Sequence, residues 1–364
     1  MSRLITVHNT ADEPIYDIVI EKDFSRLAEA VEKLGIKNRR ICIITESHVG
    51  PLYADAVKAE LEKTGNSIYV YTFEAGEANK NLNTVQDVYE FLIRNKFDRK
   101  DMLAALGGGV TGDLVGFAAA TYLRGISFIQ IPTSLLAQVD SSIGGKTGVD
   151  FRGYKNMVGA FYQPKLVYMN MSVHKSLDKR QFNSGFGEII KHGLIKDSAY
   201  YRWLRDNVDA IKALDYDALE YMIAGSCNIK REVVEKDPTE KGDRALLNFG
   251  HTLGHAIEKL MNFSLYHGEC VALGMLAALK ISNARGLISD EDIDDAVDML
   301  KLYDFPMSVT GIEEASDVVA VSKSDKKMDA GKIKFVLIDS IGHAFLDTTV
   351  TDAEMLEALN GIIE

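Results

Sequence analysis

Ala104-Ala105-Leu106-Gly107-Gly108-Gly109-Val110-Thr111-Gly112-Asp113 is the stretch on which the fold turns. Met102 to Leu106 is an uninterrupted apolar run, the pattern of a parallel strand buried on both faces, and Leu114 to Tyr122 behind the glycines is an Ala-rich helix former. The order is therefore strand, glycine turn, helix. Gly107, Gly109 and Gly112 fall at G-x-G-x-x-G spacing, which lets backbone approach a pyrophosphate seated on a helix N-terminus. Two features depart from the usual dinucleotide pattern: the turn lies a hundred residues into the chain, and no acid stands about 20 positions beyond it to hold a ribose.

Outward from that turn, strands and helices alternate. Leu4 to Val7 and Ile15 to Ile20 read as strands, Phe24 to Leu34 as a helix ending at Gly35, and Arg40 to Thr45 as a second buried strand. Glu46-Ser47-His48 follows at the carboxyl end, where open α/β sheets bind ligands, so Glu46 is either a ribose partner or a surface turn acid. Pro51 to Thr64 is an expected helix, Ser67 to Phe73 a strand, Glu74-Ala75-Gly76-Glu77 a strand-end loop, and Thr84 to Asn95 a helix. Ser127 to Ile131 is one more strand, ending at Pro132-Thr133-Ser134. This alternation predicts a mostly parallel, Rossmann-like sheet with right-handed crossovers.

Past Ser134 the character changes. Asp140 to Gly148 and Gly153 to Gly159 are polar and glycine-rich and read as a loop built to approach a ligand. Gly144-Gly145-Lys146-Thr147 resembles a P-loop ending, but the first glycine that motif requires is replaced by Asp140, which excludes a Walker A. Lys146 and Lys155, taken singly, read as solvated loop charge. From Ser172 to about Leu302 nearly everything reads as helix: Gly185 to Leu194, Tyr200 to Asn207, Tyr216 to Val234, Leu246 to Leu260 and Gly268 to Asn283. A hairpin over Lys334 to Ile338 and Ala344 to Val350, then a helix from Asp352, close the chain. The expected division is an α/β domain over 1–171 and a mainly α-helical domain over 172–364.

Composition narrows the partners. A chain of 364 residues implies about two domains, and 46% hydrophobic with 26% charged residues is ordinary for a globular protein. A net charge of -12 argues against non-specific nucleic-acid binding and against an anionic membrane surface. An anionic ligand would have to meet its cations in a local pocket. Cys42, Cys227 and Cys270 show no C-x-x-C pairing and read as reduced core residues. With no apolar signal segment at the N-terminus, the expectation is a cytoplasmic protein without a membrane span.

The helical region carries a second constellation. Glu188, Lys191 and His192 fall within one turn, and His251 and His255 make an i, i+4 pair in Phe-Gly-His-Thr-Leu-Gly-His, with His267 opening a further helix. Imidazole and carboxylate suit zinc or another divalent first-row ion, and three protein ligands leave a position for substrate oxygens. Spacing alone does not choose three ligands from these five.

With those residues in hand, the chain resembles the 3-dehydroquinate synthase family nearly end to end. Carrying the resemblance are Gly107 to Asp113, Tyr122-Leu123-Arg124-Gly125, Gln130 to Thr133, Gln138 to Ser142, Gly144 to Gly148, Lys155 to Phe161, and Leu247 to His251 with Gly254-His255. It implies an NAD-binding α/β domain, a helical metal- and substrate-binding domain, and a homodimer. The implied activity converts a sugar phosphate, 3-deoxy-D-arabino-heptulosonate 7-phosphate, to 3-dehydroquinate and phosphate, by transient oxidation with NAD, phosphate elimination, re-reduction and intramolecular aldol closure. The implied ion is zinc or cobalt, held by Glu188, His251 and His267, which leaves His192 a bystander. The implied substrate groups are Asp140, Lys146, Lys155, Asn156, Lys191, Lys230, Arg244, Asn248 and His255, with Lys326, and with Arg124 reaching in from the partner copy. The implied NAD positions are Glu46, Glu77, Lys80, Gly109, Val110, Thr111, Gly112, Asp113, Thr133 and Ser134, together with Lys146 and Lys155. Two departures bear on local geometry: Gly187 stands where an alanine is usual, and Asp150-Phe151-Arg152-Gly153-Tyr154 replaces a commoner His-Pro-Leu-Gly loop.

Rival readings are a sister sugar-phosphate cyclase, a metal-dependent polyol dehydrogenase that exports its hydride, and a dimerising scaffold with a dead site. A carboxylated substrate accounts best for the density of Lys155, Asn156, Arg244 and Asn248.

Overall fold

The computed structural model describes residues 3–262, 264–323, 328–329 and 332–364. The chain forms two compact units: Met1–Leu177 with Leu219–Pro238, and Asp178–Ala218 with Thr239–Glu364.

In chain order the first unit contains β1 (Arg3–His8), β2 (Pro14–Glu21), α1 (Leu27–Glu32), β3 (Arg40–Glu46), α2 (Gly50–Glu62), β4 (Ser67–Phe73), α3 (Leu82–Arg94), β5 (Met102–Gly107), α4 (Gly109–Thr121), β6 (Ser127–Pro132), β7 (Lys146–Phe151), β8 (Tyr154–Phe161) and β9 (Leu166–Asn170). Seven strands make one sheet in the order β1-β2-β9-β6-β5-β3-β4. Only β1 runs antiparallel, against β2. The interior strand β5 is buried at every residue, as its unbroken apolar run predicts. Its side chains alternate: Leu103 and Ala105 join the core beneath α3 and α4, while Met102, Ala104 and Leu106 join the core beneath α1 and α2. The expected mostly parallel α/β architecture is what forms.

Three local expectations are revised. Helix α4 begins at Gly109, five residues before the expected start, so Gly109 and Gly112 lie inside its first turns. Residues 146–161 are not a loop but the antiparallel hairpin of β7 and β8, in which Gly148 pairs with Gly159. Glycines that read as loop formers serve close strand approach, since a Cβ on Gly148 would lie 2.8 Å from the Val158 carbonyl oxygen. Strand β9, unread in the sequence, lies between β2 and β6.

The second unit begins with α5 (Lys179–Lys196), α6 (Ser198–Asp206) and α7 (Val208–Lys212). Helix α8 (Tyr216–Lys236) then returns to the first unit from Leu219 onward. The second unit resumes with α9 (His251–Leu260), α10 (His267–Ala284), α11 (Asp290–Leu302) and α12 (Ala315–Ser322). The short pair β10 (Met328–Asp329) and β11 (Lys332–Ile333), the hairpin β12 (Phe335–Ser340) and β13 (His343–Asp347), and α13 (Asp352–Leu359) complete it. The expected continuous helix over 246–260 is broken: a 3-10 turn over Asp243–Asn248 ends before Gly250, whose φ of 77° is left-handed and starts α9 afresh at His251. Among the described residues no helix is long and apolar enough to cross a membrane.

Candidate active site

In the first unit the site is built at the carboxyl ends of the strands. The turn between β5 and α4 is pinned by the Thr133 N–H, which donates to the Gly107 carbonyl at 3.0 Å. No glycine of the motif has a positive φ. Their shared property is the missing side chain: a Cβ on Gly112 would lie 2.7 Å from Gln130 Oε1, and one on Gly109 would lie 3.0 Å from Ser141 Oγ. Helix α4 thereby presents its first N–H groups at a bare backbone, with the Thr111 hydroxyl buried and without a hydrogen-bond partner. This donor set fits a dinucleotide pyrophosphate.

Around that turn, Lys80 is buried and donates to Asp113 Oδ2 at 2.7 Å and to Asn156 Oδ1 at 2.6 Å. Burial alone would lower the Lys80 pKa, but Asp113 and Glu77 outweigh it and hold the ammonium charged. Lys155 on β8 lies 3.7 Å from Glu77. Glu46 ends β3 with both oxygens turned onto its own loop, accepting from the His48 N–H at 2.6 Å and the Val49 N–H at 2.8 Å. Ser134 Oγ accepts from the Ala137 N–H at 3.2 Å and opens a π-helical turn over Ala137–Ser141. Asp140 sits in that turn, where its carboxylate and its own carbonyl, the latter at 2.6 Å, both accept from Lys230 of α8. Lys146 opens β7, exposed.

Arg124 stands apart from these. It follows α4, whose 13 residues span roughly 20 Å, so it lies at the far end of that helix from the glycine turn. Leu123 at φ 50° and Arg124 at φ 69° are consecutive left-handed residues, which side chains other than glycine adopt at a cost.

In the second unit, three helices bring one carboxylate and three imidazoles together. Glu188 on α5 is fully buried, as is Lys191 one turn later, and the two are ion-paired through Glu188 Oε2. The other oxygen, Oε1, lies 3.4 Å from His251 Nε2 on α9 and 3.4 Å from His267 Nε2 on α10, yet makes no hydrogen bond. The nitrogens of His251, His255 and His267 also fall within 4.8 Å of one another. His255 is therefore close enough to share the centre, its ring 5.0 Å from that of His251.

Close packing makes this convergence: a Cβ on Gly254 would lie 2.7 Å from the Cys270 carbonyl, and one on Gly187 would lie 2.8 Å from Gly268 Cα. The i, i+4 glycines at 250 and 254 thus press α9 onto α10, and the i, i+4 histidines at 251 and 255 share the same turns. A buried carboxylate oxygen without a hydrogen bond, facing two imidazole nitrogens, fits a divalent cation.

Electrostatics favour an ionised Glu188 and a neutral His251 as ligands, whereas His267 must release a proton to join them. Burial opposes ionisation of Glu188, but Lys191 and His251 hold its carboxyl well below the usual range. Burial and the neighbouring Lys191 push His251 down to about 3. His267, despite burial, is held up to about 9 by Glu188 and Glu258. His251 Nδ1 is 3.1 Å from the Phe249 carbonyl, and His267 Nδ1 is 3.6 Å from Glu258, so each ring turns Nε2 inward and Nδ1 toward an oxygen. Glu258 was not singled out in the sequence, although it stands seven residues after His251 on the same helical face.

Arg244 is buried in the turn before α9, and Asn248 Nδ2 donates to Glu240 Oε1 at 2.9 Å. His192 is buried on α5. Lys326 lies outside the described residues.

Residues 70–184 match the family model for 3-dehydroquinate synthase N-terminal, and residues 185–328 that for 3-dehydroquinate synthase C-terminal. A 3-dehydroquinate synthase of Ruminiclostridium cellulolyticum is 43% identical over 348 residues, covering 95% of each chain. Among solved structures, 2-epi-5-epi-valiolone synthase from Streptomyces hygroscopicus subsp. jinggangensis, with NAD+ and Zn2+ bound, is similar with TM-score 0.87 and 26% identity, over 95% of this chain and 96% of that one. A 2-deoxy-scyllo-inosose synthase complexed with carbaglucose-6-phosphate, NAD+ and Co2+ is similar with TM-score 0.86 and 25% identity, over 99% of this chain and 100% of that one.

Proposed function

The chain belongs to the 3-dehydroquinate synthase family, and on that premise we infer how its residues divide the work. The enzyme converts 3-deoxy-D-arabino-heptulosonate 7-phosphate to 3-dehydroquinate and phosphate, a lyase step of the shikimate pathway toward aromatic amino acids. The observation that carries this is 43% identity to a 3-dehydroquinate synthase across 95% of both chains. The sister-cyclase reading has less support, at 26% and 25% identity.

When bound, NAD supplies reversible hydride acceptance from a ring carbinol and the divalent ion supplies Lewis-acid polarisation of the neighbouring oxygens. The first N–H groups of α4, over Gly109, Val110 and Thr111, receive the pyrophosphate, and Gly112, whose own N–H donates to the Gly108 carbonyl, keeps the approach free of a side chain. Glu46 takes the ribose, and Glu77, Lys80, Asp113, Thr133 and Ser134, with Lys146 and Lys155, line the remaining cofactor path. Glu188, His251 and His267 hold the ion, supported by the unbonded Glu188 Oε1 between two imidazoles. One carboxylate with two imidazoles suits Zn2+, and Co2+ accepts the same donors.

Phosphate and carboxylate of the substrate are bound by Lys146, Lys155, Lys191, Lys230, Arg244 and Lys326, with Asn156, Asn248 and His255 donating hydrogen bonds. In a chain of net charge -12 these cations must act locally. Burial of Lys191, Lys230 and Arg244 supports that, because a dry, fixed cation orients an anion more strongly than a solvated one. Asp140, held by Lys230, faces the substrate hydroxyls. Arg124 serves the site of a second copy, so the working form is a homodimer; its distance along α4 from the glycine turn of its own chain supports this. We assign residues 1–171 mainly to NAD binding and 172–364 mainly to ion and substrate binding, although residues 219–238 of the latter stretch pack as part of the first unit. Three buried cysteines, at 42, 227 and 270, support a cytoplasmic setting.

The deciding experiment follows phosphate release from the heptulosonate with catalytic NAD, with and without chelator. Chelator-sensitive phosphate release without NADH accumulation is the expected result, and stoichiometric NADH would overturn the reading in favour of a dehydrogenase.

A further inference from the structure

Asp150, at the end of β7, belongs to none of the assigned site positions, yet three contacts converge on it. Its Oδ1 accepts from the Asn156 N–H at 2.8 Å, across the tip of the hairpin. Its own N–H donates to the Lys80 carbonyl at 2.8 Å, and Asn81 forms an isolated parallel bridge with it. Asn156 sits at φ 51°, in the left-handed region, where asparagine is tolerated but still needs support from its surroundings. The side chain so oriented accepts from Lys80 Nζ at 2.6 Å, and Lys80 in turn donates to Asp113 Oδ2 at 2.7 Å.

We propose that Asp150 is a positioning residue that fixes Asn156 through its backbone N–H and, through the Asn156 amide, aims the buried Lys80 at Asp113, so that one carboxylate tunes both the substrate side and the cofactor side of the site. This rests on the assignment above of Asn156 to substrate and of Lys80 and Asp113 to NAD. The physical argument is one of competing orientations. Without the acceptor at Asp150, the Asn156 N–H loses its hydrogen bond across the hairpin tip, the left-handed φ is held less firmly, and the backbone relaxes toward ordinary strand geometry. That swings the amide oxygen away from Lys80. A buried ammonium deprived of one of its acceptors then reorients, and the Asp113 carboxylate moves with it.

The test compares Asp150→Ala with Asp150→Asn, whose amide oxygen accepts the same N–H without the charge. Two quantities are read on the metal-loaded protein: the NAD dissociation constant by calorimetry without substrate, and KM for the heptulosonate phosphate. Asp150→Ala is expected to weaken both by about tenfold with kcat within about twofold, and Asp150→Asn to restore both to within about twofold of the parent. Unchanged ligand affinities in Asp150→Ala overturn the proposal, as does a loss confined to one ligand, because the two sides would then not be linked through Asn156. Failure of Asp150→Asn to restore binding overturns it as well, since charge rather than the acceptor would then matter. If the parent protein releases no phosphate, the functional reading fails by itself, while the NAD constants of the three proteins still decide the role of Asp150. Should Asp150→Ala not fold, Asp150→Asn must still bind both ligands like the parent, and tenfold weakening in it overturns the proposal.

Discussion

The glycines of the β5–α4 turn and those of α5, α9 and α10 do different work. On β5 and α4, the atoms that a new Cβ would meet belong to side chains: Thr111, Gln130 and Ser141. On α5, α9 and α10, they are mainly backbone: the carbonyl oxygens of Ser184, Gly250, Cys270 and Val271 and the chain at Gly268. A side chain can rotate away; a packed helix backbone cannot. The first set keeps a surface bare for a ligand, whereas the second holds three helices close enough for one carboxylate oxygen to face two imidazoles.

The largest expected effect removes what the second set assembles. His251→Ala should abolish retention of the divalent ion and lower phosphate release by roughly a thousandfold or more, the several kcal/mol a Lewis acid supplies. His192→Ala should keep most activity and the ion. Metal analysis of the two purified variants checks this, and the opposite ranking would break the assignment of the centre.

Next comes Gly274→Ala, whose Cβ would collide with the Gly250 carbonyl oxygen. Thermal or denaturant unfolding should show a loss of about 1–3 kcal/mol, and ion affinity should fall by about tenfold as α9 shifts on α10. Gly109→Ala sharpens the contrast from the other side. Its Cβ meets the Ser141 side chain, with Oγ at 3.0 Å and Cβ at 3.6 Å, and alanine favours a helix, so stability should stay within about 1 kcal/mol of the parent while NAD binding weakens by about tenfold. If both alanine variants lose stability alike, the distinction between the two sets disappears.

How much of this the sequence disclosed follows from the range over which each feature is encoded. The strand, turn and helix of residues 102–121 are local, so an apolar run and three spaced glycines announced them. The proposed metal centre joins Glu188 to His267 across three helices, and the i, i+4 histidines signalled a site without choosing ligands. That choice came from resemblance, not spacing. The β7–β8 hairpin was missed because paired glycines at 148 and 159 look like loop when the partner strand is unknown. Glu258 was missed because a carboxylate on an amphipathic helix reads as solvated unless the imidazole 3.6 Å from it is known.

The smallest expected effect is a control remote from both sets. Arg285, the residue that caps the C-terminus of α10, holds Glu354 on α13 bidentately at 2.6 and 3.0 Å and depresses its pKa to about 2. Since the folded value lies below the unfolded one near 4.5, the contribution is present above about pH 4.5 and fades as pH falls toward 2. The pair remains open to solvent, so Glu354→Gln should cost only about 1 kcal/mol at neutral pH, and less in acid. A pH series of unfolding free energies checks the sign, and ion content should not change.

Helix α8 leaves the second unit at Leu219 and carries Lys230 to Asp140 and Glu235 to the His8 N–H before the chain goes back at Thr239. Neither unit is thus a contiguous segment of the gene. A polypeptide stopped after Leu177 lacks the ammonium that neutralises Asp140, and one started at Asp178 carries a helix whose natural bedding is missing. Attempts to dissect the enzyme into separately expressed halves will therefore yield soluble pieces only if residues 219–238 travel with the amino-terminal half, by splicing or by co-expression.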